Sequence, residues 1–229
     1  MMVIPDLVKV TSRDQINLES ECLLGFRHCI YLFSSLFAQV LPFNVMSQSY
    51  QYIRMELCEH GDVEEFIKDH PSKMLASYDC RNLLFQMAIA LHVAADKFGL
   101  KHYDVKLLNF LLQSAKDPTI DDEEHPHVVL RYGIGSHVFR LRMPPSASYI
   151  AKLADYGTSV MRTDSDYQPV SLAQFTTLEN TPPDFLILGN AAQQGYGHES
   201  FGLGLCMLHL FTGHGPYEEI LDEISALKI

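Results

Sequence analysis

Lys101-His102-Tyr103-Asp104-Val105-Lys106-Leu107-Leu108-Asn109-Phe110-Leu111-Leu112 is the stretch on which the reading of the fold turns. Three polar side chains able to do chemistry, Asp104, Lys106 and Asn109, stand between Leu100 and the apolar run Phe110-Leu111-Leu112. A charged loop that leads straight into a strand-like run has the rigid mount that reactive groups need. Upstream, Leu83, Leu84, Met87, Ala88, Leu91, Ala94 and Ala95 recur at intervals of three and four, which predicts a core helix from Ser77 to Phe98 stopped by Gly99. His92, beside that apolar face, is expected to make a packing contact or a single hydrogen bond. Downstream, Tyr149 to Ala154 leads into a second acidic motif, Asp155-Tyr156-Gly157, and Thr181-Pro182-Pro183-Asp184 follows.

The three motifs, in this order, resemble those of eukaryotic protein kinases. His102 to Asn109 resembles the catalytic loop His-Arg-Asp-Leu-Lys-x-x-Asn, with Tyr103 where the family has Arg. Asp155-Tyr156-Gly157 resembles Asp-Phe-Gly, and Thr181-Pro182-Pro183-Asp184 stands where Ala-Pro-Glu is expected. The resemblance implies an α+β, protein-kinase-like two-lobed fold: a reduced amino-terminal lobe over residues 1–58 and an incomplete helical carboxyl-terminal lobe over 59–229, with an insertion at 114–148. It implies ATP- and magnesium-dependent phosphoryl transfer to Ser or Thr of a protein substrate. Asp104 would take the hydroxyl proton, Lys106 would neutralise the transferring phosphoryl group, and Asn109 and Asp155 would hold magnesium. Lys two residues after the Asp resembles the Ser/Thr type of the family.

Further positions follow from the same resemblance. Gln15 to Phe26 has helical spacing, and Glu19 on it is the candidate for the glutamate that clamps a strand lysine; Lys9, in Leu7-Val8-Lys9-Val10, is the candidate lysine. Strand-like runs follow at Ile30 to Phe37 and Tyr50 to Cys58. Met55-Glu56-Leu57-Cys58 resembles the hinge, where backbone at Glu56 and Cys58 would meet the adenine edge, with Asp62 on the ribose and Leu111 beneath the base. Read without the resemblance, Glu19 is a surface carboxylate of an amphipathic helix, Lys9 a solvated lysine, and Asp62 a cap for a helix beginning at Val63. Eight residues before Lys9 leave no room in this chain for a glycine-rich phosphate loop. The competing reading is therefore a non-catalytic pseudokinase or fragment acting as a binding or scaffold module.

Tyr103 changes the regulatory expectation. The family's Arg receives a phosphate from the activation segment, a charge-assisted contact that a tyrosine cannot make. Activity is therefore expected not to depend on phosphorylation read at this position. Tyr156 in place of Phe keeps an aromatic ring and adds a hydroxyl that needs a partner. In the insertion, Ser114 to His127 reads as a solvated acidic loop, and the alternation from Val128 to Leu141 around Gly133-Ile134-Gly135-Ser136 reads as a hairpin. Thr158 through Thr177 is polar, and Thr177 matches the family threonine that ties this segment to the catalytic loop. Glu199-Ser200-Phe201-Gly202-Leu203-Gly204 resembles the Asp-x-Trp-Ser-x-Gly start of a buried central helix, continued by Leu205, Met207, Leu208 and Leu210. There Glu199 must reach the catalytic-loop backbone from one methylene further out than Asp. Gly213 to Tyr217 fits the turn after that helix, and Glu218 to Lys228 reads as a short helix. Asp184 is expected to be partly buried without its usual arginine partner.

The bulk numbers agree with a globular protein. At 229 residues and 47% hydrophobic content, the chain can fill a sizeable core. A formal charge of -11, from 17 Lys and Arg against 28 Asp and Glu, argues against nucleic acid or an anionic membrane as partner. Cys22, Cys29, Cys58, Cys80 and Cys206 are scattered with no Cys-x-x-Cys pair, so they read as buried thiols in a reducing, cytoplasmic compartment. Met1 to Asp6 has no basic region before an apolar stretch, and Cys29 to Phe43 is broken by Ser34, Ser35, Gln39 and Pro42; neither a leader nor a span is expected.

Overall fold

Helix propensity and tertiary contact converge on Ser77–Phe98, the longest element described in the computed structural model. The structure describes residues 7–11, 40–41, 50–55, 57–115, 127–134, 136–144, 147–161, 180–192 and 195–217. Over these it is an α+β protein. The elements are β1 (Leu7–Thr11), β2 (Val40–Leu41), β3 (Tyr50–Met55), α1 (Val63–Asp69), α2 (Ser77–Phe98), β4 (Phe110–Ser114), β5 (Val128–Ile134), β6 (His137–Met143), β7 (Tyr149–Leu153), α3 (Pro183–Leu188) and α4 (Gly197–Thr212). The expected helix carrying Glu19, the strand Ile30 to Phe37, Glu56, Thr177 and the closing helix Glu218 to Lys228 lie outside the described residues.

Helix α2 has the bounds its spacing predicts. Cys80, Leu83, Met87, Ala90, Leu91 and Ala94 are buried, and Gly99, at φ +59°, closes the helix with its N–H on the carbonyls of Ala94 and Ala95. His92, beside this face, is exposed. The buried stripe runs through Met87, Ala90, Leu91 and Ala94, and one further residue, about 100° round the helix, carries position 92 into solvent. On the buried face, the Gln86 amide is engaged through both its nitrogen and its oxygen. Its Nε2 donates to Tyr149 O at 3.0 Å, and its Oε1 accepts from Ala151 N–H and from the Tyr132 hydroxyl, each at 3.0 Å. A satisfied buried amide avoids the cost of an unpaired polar group and ties α2 to β7 and β5.

The strands pair antiparallel. The sheet β1-β3-β2 sets Lys9 opposite Tyr52, and β4 pairs β7 with Leu111 opposite Lys152. β5 and β6 form the expected hairpin, in register from Val128 and Met143 to Ile134 and His137. In α4, Gly202, Leu205, Cys206, His209 and Leu210 are buried, at the three-and-four spacing of one helical face. Met207 and Leu208, expected in the core, are 42% and 51% exposed, because they fall off that face. Burial pushes the Cys206 thiol up to about 12. Cys58, Cys80 and Cys206 are buried thiols outside any disulfide, and among the described residues no helix is long and apolar enough to cross a membrane.

Candidate active site

The loop from Lys101 to Asn109 hangs between α2 and β4 and is held from three sides. From the side of β7, Ala154 bonds it at both ends: Ala154 N–H donates to Asn109 O at 2.9 Å, and His102 Nε2 lies 2.9 Å from Ala154 O. That second contact makes Nε2 the protonated ring nitrogen of His102. Beyond Asp155, Lys101 and Val160 exchange a pair of backbone hydrogen bonds at 2.9 Å each, and the Thr158 hydroxyl donates to His102 O at 2.9 Å. From the third side comes α4. Glu199 Oε1 accepts from the backbone N–H of His102 and of Tyr103, each at 2.9 Å, so the longer carboxylate does reach. Burial pushes the Glu199 carboxyl up; His102 and the two N–H donors pull it back.

Two residues here carry strained backbone. Tyr103, at φ +63°, and Asp155, at φ +59°, are non-glycine residues in the left-handed region, a conformation that costs roughly 1–3 kcal/mol and persists only where surroundings enforce it. One flanks Asp104 and the other is the second acid. Gly202 permits the close approach of α4: a Cβ there would stand 2.7 Å from Val105 O and 2.8 Å from Val105 Cβ.

Within the loop, the three polar residues converge. Asp104, only 8% exposed, has Oδ2 at 2.7 Å from Lys106 Nζ and at 3.0 Å from Asn109 Nδ2, and the same Nδ2 donates to Asp104 O at 2.8 Å. Both donors sit on one oxygen. Oδ1 is thereby left to accept a proton or a hydroxyl, the geometry a general base needs. Asn109 spends its amide N–H on Asp104, which leaves its carbonyl oxygen as a hard donor. Asp155 is exposed, with Oδ1 accepting from Gly157 N–H at 3.3 Å. An amide oxygen and a carboxylate suit magnesium, which keeps waters and phosphate oxygens as its remaining ligands. Among the described residues, no group of three or more His, Cys, Asp or Glu is arranged to hold a metal, so a cation here would depend on such outside oxygens.

The residues assigned to the nucleotide divide. Leu111, half-buried on β4, faces Asp62 across an antiparallel bridge, and Leu112 N–H donates to Gly61 O at 2.8 Å, so the turn after Cys58 is pinned to β4. Cys58, Asp62 and Leu111 are thus brought together. Asp62 is also the cap of α1, its Oδ1 accepting from Glu65 N–H at 2.8 Å, as its spacing alone implied. Cys58 O accepts from Gly61 N–H at 3.3 Å. Lys9 lies on β1 beside β3, the strand that runs toward Leu57 and Cys58; Glu56 and Glu19 lie outside the described residues. The Tyr156 hydroxyl has the partner it needs, Leu153 O at 2.8 Å. Asp184, expected to be partly buried, is exposed, because Pro183 opens α3 and sets it in the first turn at the surface.

Two participants were not singled out from sequence: His198, which packs against Tyr103, and Gly202 as the point of closest approach. The placement of Gly202 three residues after Glu199, on one helical face, is a signal that could have found it. The fold and site together define an α+β protein whose carboxylate, lysine and amide share one braced loop beside a second, exposed carboxylate. No protein-family model matches the sequence, and no curated protein matches it.

Proposed function

We propose that the chain is a protein-kinase-like, two-lobed domain that transfers the terminal phosphoryl group of ATP, with magnesium, to Ser or Thr hydroxyls of a protein substrate. One observation carries this reading: Ala154, hydrogen-bonded at both its N–H and its C=O to the loop of Asp104 and Asn109, sets Asp155 directly beside that loop. Asp104 Oδ1 accepts the proton of the attacking hydroxyl. Lys106, already on Asp104, lies where it can offset charge on the transferring group. Magnesium, held by Asn109 and Asp155, would neutralise phosphate charge. The loop's role is then positioning and charge, which phosphoryl transfer chiefly requires. Cys58, Asp62 and Leu111, brought together beside β4, supply the adenosine side, with Lys9 on β1 as the lysine for the phosphates.

A second reading, a binding module without catalysis, is favoured by one surface. Leu186, Ile187 and Leu188 on α3 are 50%, 80% and 55% exposed, and a cavity of about 470 Å³ lined by Pro183, Asp184, Phe185, Tyr196 and Phe201 opens at the same helix. Phosphate transfer from labelled ATP to a mixed Ser/Thr peptide pool separates the two. Transfer that falls about 100-fold or more in Asp104→Asn supports the enzyme. Transfer at the same rate in that variant, or none in a folded chain, leaves the binding module.

A further inference from the structure

Tyr103, His198 and Phe185 form a continuous stack of rings. The centroids of Tyr103 and His198 are 5.2 Å apart at an interplanar angle of 63°, and those of His198 and Phe185 are 5.2 Å apart at 88°. Both contacts are edge-to-face, the arrangement that ring quadrupoles favour. Tyr103 and Phe185 are each 1% exposed and His198 is 6% exposed; Ala192 and Val160 pack around them in a cluster separate from the main core. Three pieces of chain meet there: the residue before Asp104, the first turn of α4, and α3.

The stack has a task that packing alone does not explain. Tyr103 holds φ +63°, a conformation its neighbours must impose, and Glu199 grips only its backbone N–H. The rings grip its side chain. Burial also holds the His198 imidazole down to about 4, against the pull of Asp184 and Asp104, so the ring enters the stack uncharged at neutral pH.

We propose that His198 and Phe185 are positioning residues that hold Tyr103, and through it Asp104, in working geometry. The inference rests on Asp104 being the residue that takes the hydroxyl proton.

Amide hydrogen exchange at Tyr103 and Asp104, measured beside phosphotransfer in the wild-type chain, His198→Ala and His198→Phe, tests it. His198→Ala is expected to speed exchange at these amides about tenfold, and to lower kcat by a similar factor with KM for ATP within about threefold. His198→Phe, which restores a ring, is expected to bring both within about threefold of wild type. Should His198→Ala not fold, Phe185→Leu keeps the apolar volume, removes one edge-to-face contact and is expected to speed exchange about threefold. Unchanged exchange in the ring-deleting variants, or no rescue by Phe, overturns the stack as a positioning device. If exchange responds as expected while no chain transfers phosphate, the stack stands and the proposed reaction fails.

Discussion

Glu199 Oε1 stands 2.9 Å from the backbone nitrogen of Tyr103, and the same oxygen holds the N–H of His102 at 2.9 Å. One carboxylate oxygen thus satisfies two consecutive buried amides, the second that of Tyr103, whose φ is positive. Glu199→Ala leaves both N–H groups without that acceptor, at a cost of about 1–3 kcal/mol each. Urea unfolding should therefore show a loss of roughly 2–6 kcal/mol. Glu199→Gln, which retains an acceptor oxygen, should lose less than half as much. Equal losses in the two variants would mean that side-chain volume, not the acceptor, matters there.

Gly202 and Gly204 differ although both lie in α4. A methyl group at Gly202 would meet Val105 O at 2.7 Å, a backbone atom that cannot step aside, whereas at Gly204 nothing lies within 4 Å. Gly202→Ala should cost about 1–3 kcal/mol by overpacking. Gly204→Ala should stabilise by up to ~1 kcal/mol, since Ala is the better helix former. Opposite signs in thermal unfolding are the expected result, and a harmless Gly202→Ala would refute the close approach of α4 to the loop.

His198 and Glu199 pull the pH dependence in opposite directions. His198 is held down to about 4 by burial, against an ordinary value near 6.5, so between those limits the unfolded chain binds a proton that the folded chain refuses. Its contribution to stability is full above about 6.5 and is lost as pH falls toward 4. Glu199, raised by burial, does the reverse: its contribution is present below the ordinary carboxyl value and fades as pH rises through its folded value. The raw profile mixes the two. The stability difference between wild type and His198→Phe isolates the histidine. It should grow by about 2 kcal/mol from pH 4 to 6.5 and stay level above that. A level difference across the whole range would place the imidazole in water.

Much of this architecture is legible in the residues, and the reasons are local. The run of Leu83, Met87, Leu91 and Ala94 with Gly99 behind it predicts α2 to its ends, because periodicity and the left-handed cap are properties of adjacent positions. The alternation around Gly133 to Ser136 predicts the β5–β6 hairpin for the same reason. Long-range choices are less visible. Met207 and Leu208 are as apolar as Leu205 and Leu210, and only the placement of α4 against α2 and the loop decides which stripe is covered. Gln86 looks like an ordinary helical Gln until β5 and β7 bring it three partners. At the site, Asp104, Lys106 and Asn109 could be picked out because they share one short loop. The role of His198 could not, since it depends on Tyr103 and Phe185, which are distant in sequence.

Thermal unfolding with and without Mg-ATP, beside Asp155→Ala, addresses the proposed site most directly. Ligand at about one hundred times its dissociation constant adds about 2.7 kcal/mol, a rise of roughly 5–11 °C for a domain of this size. The proposal predicts a rise of that order that needs magnesium and disappears in Asp155→Ala. A cooperatively folded chain that shows no rise, or the same rise in Asp155→Ala, would contradict it.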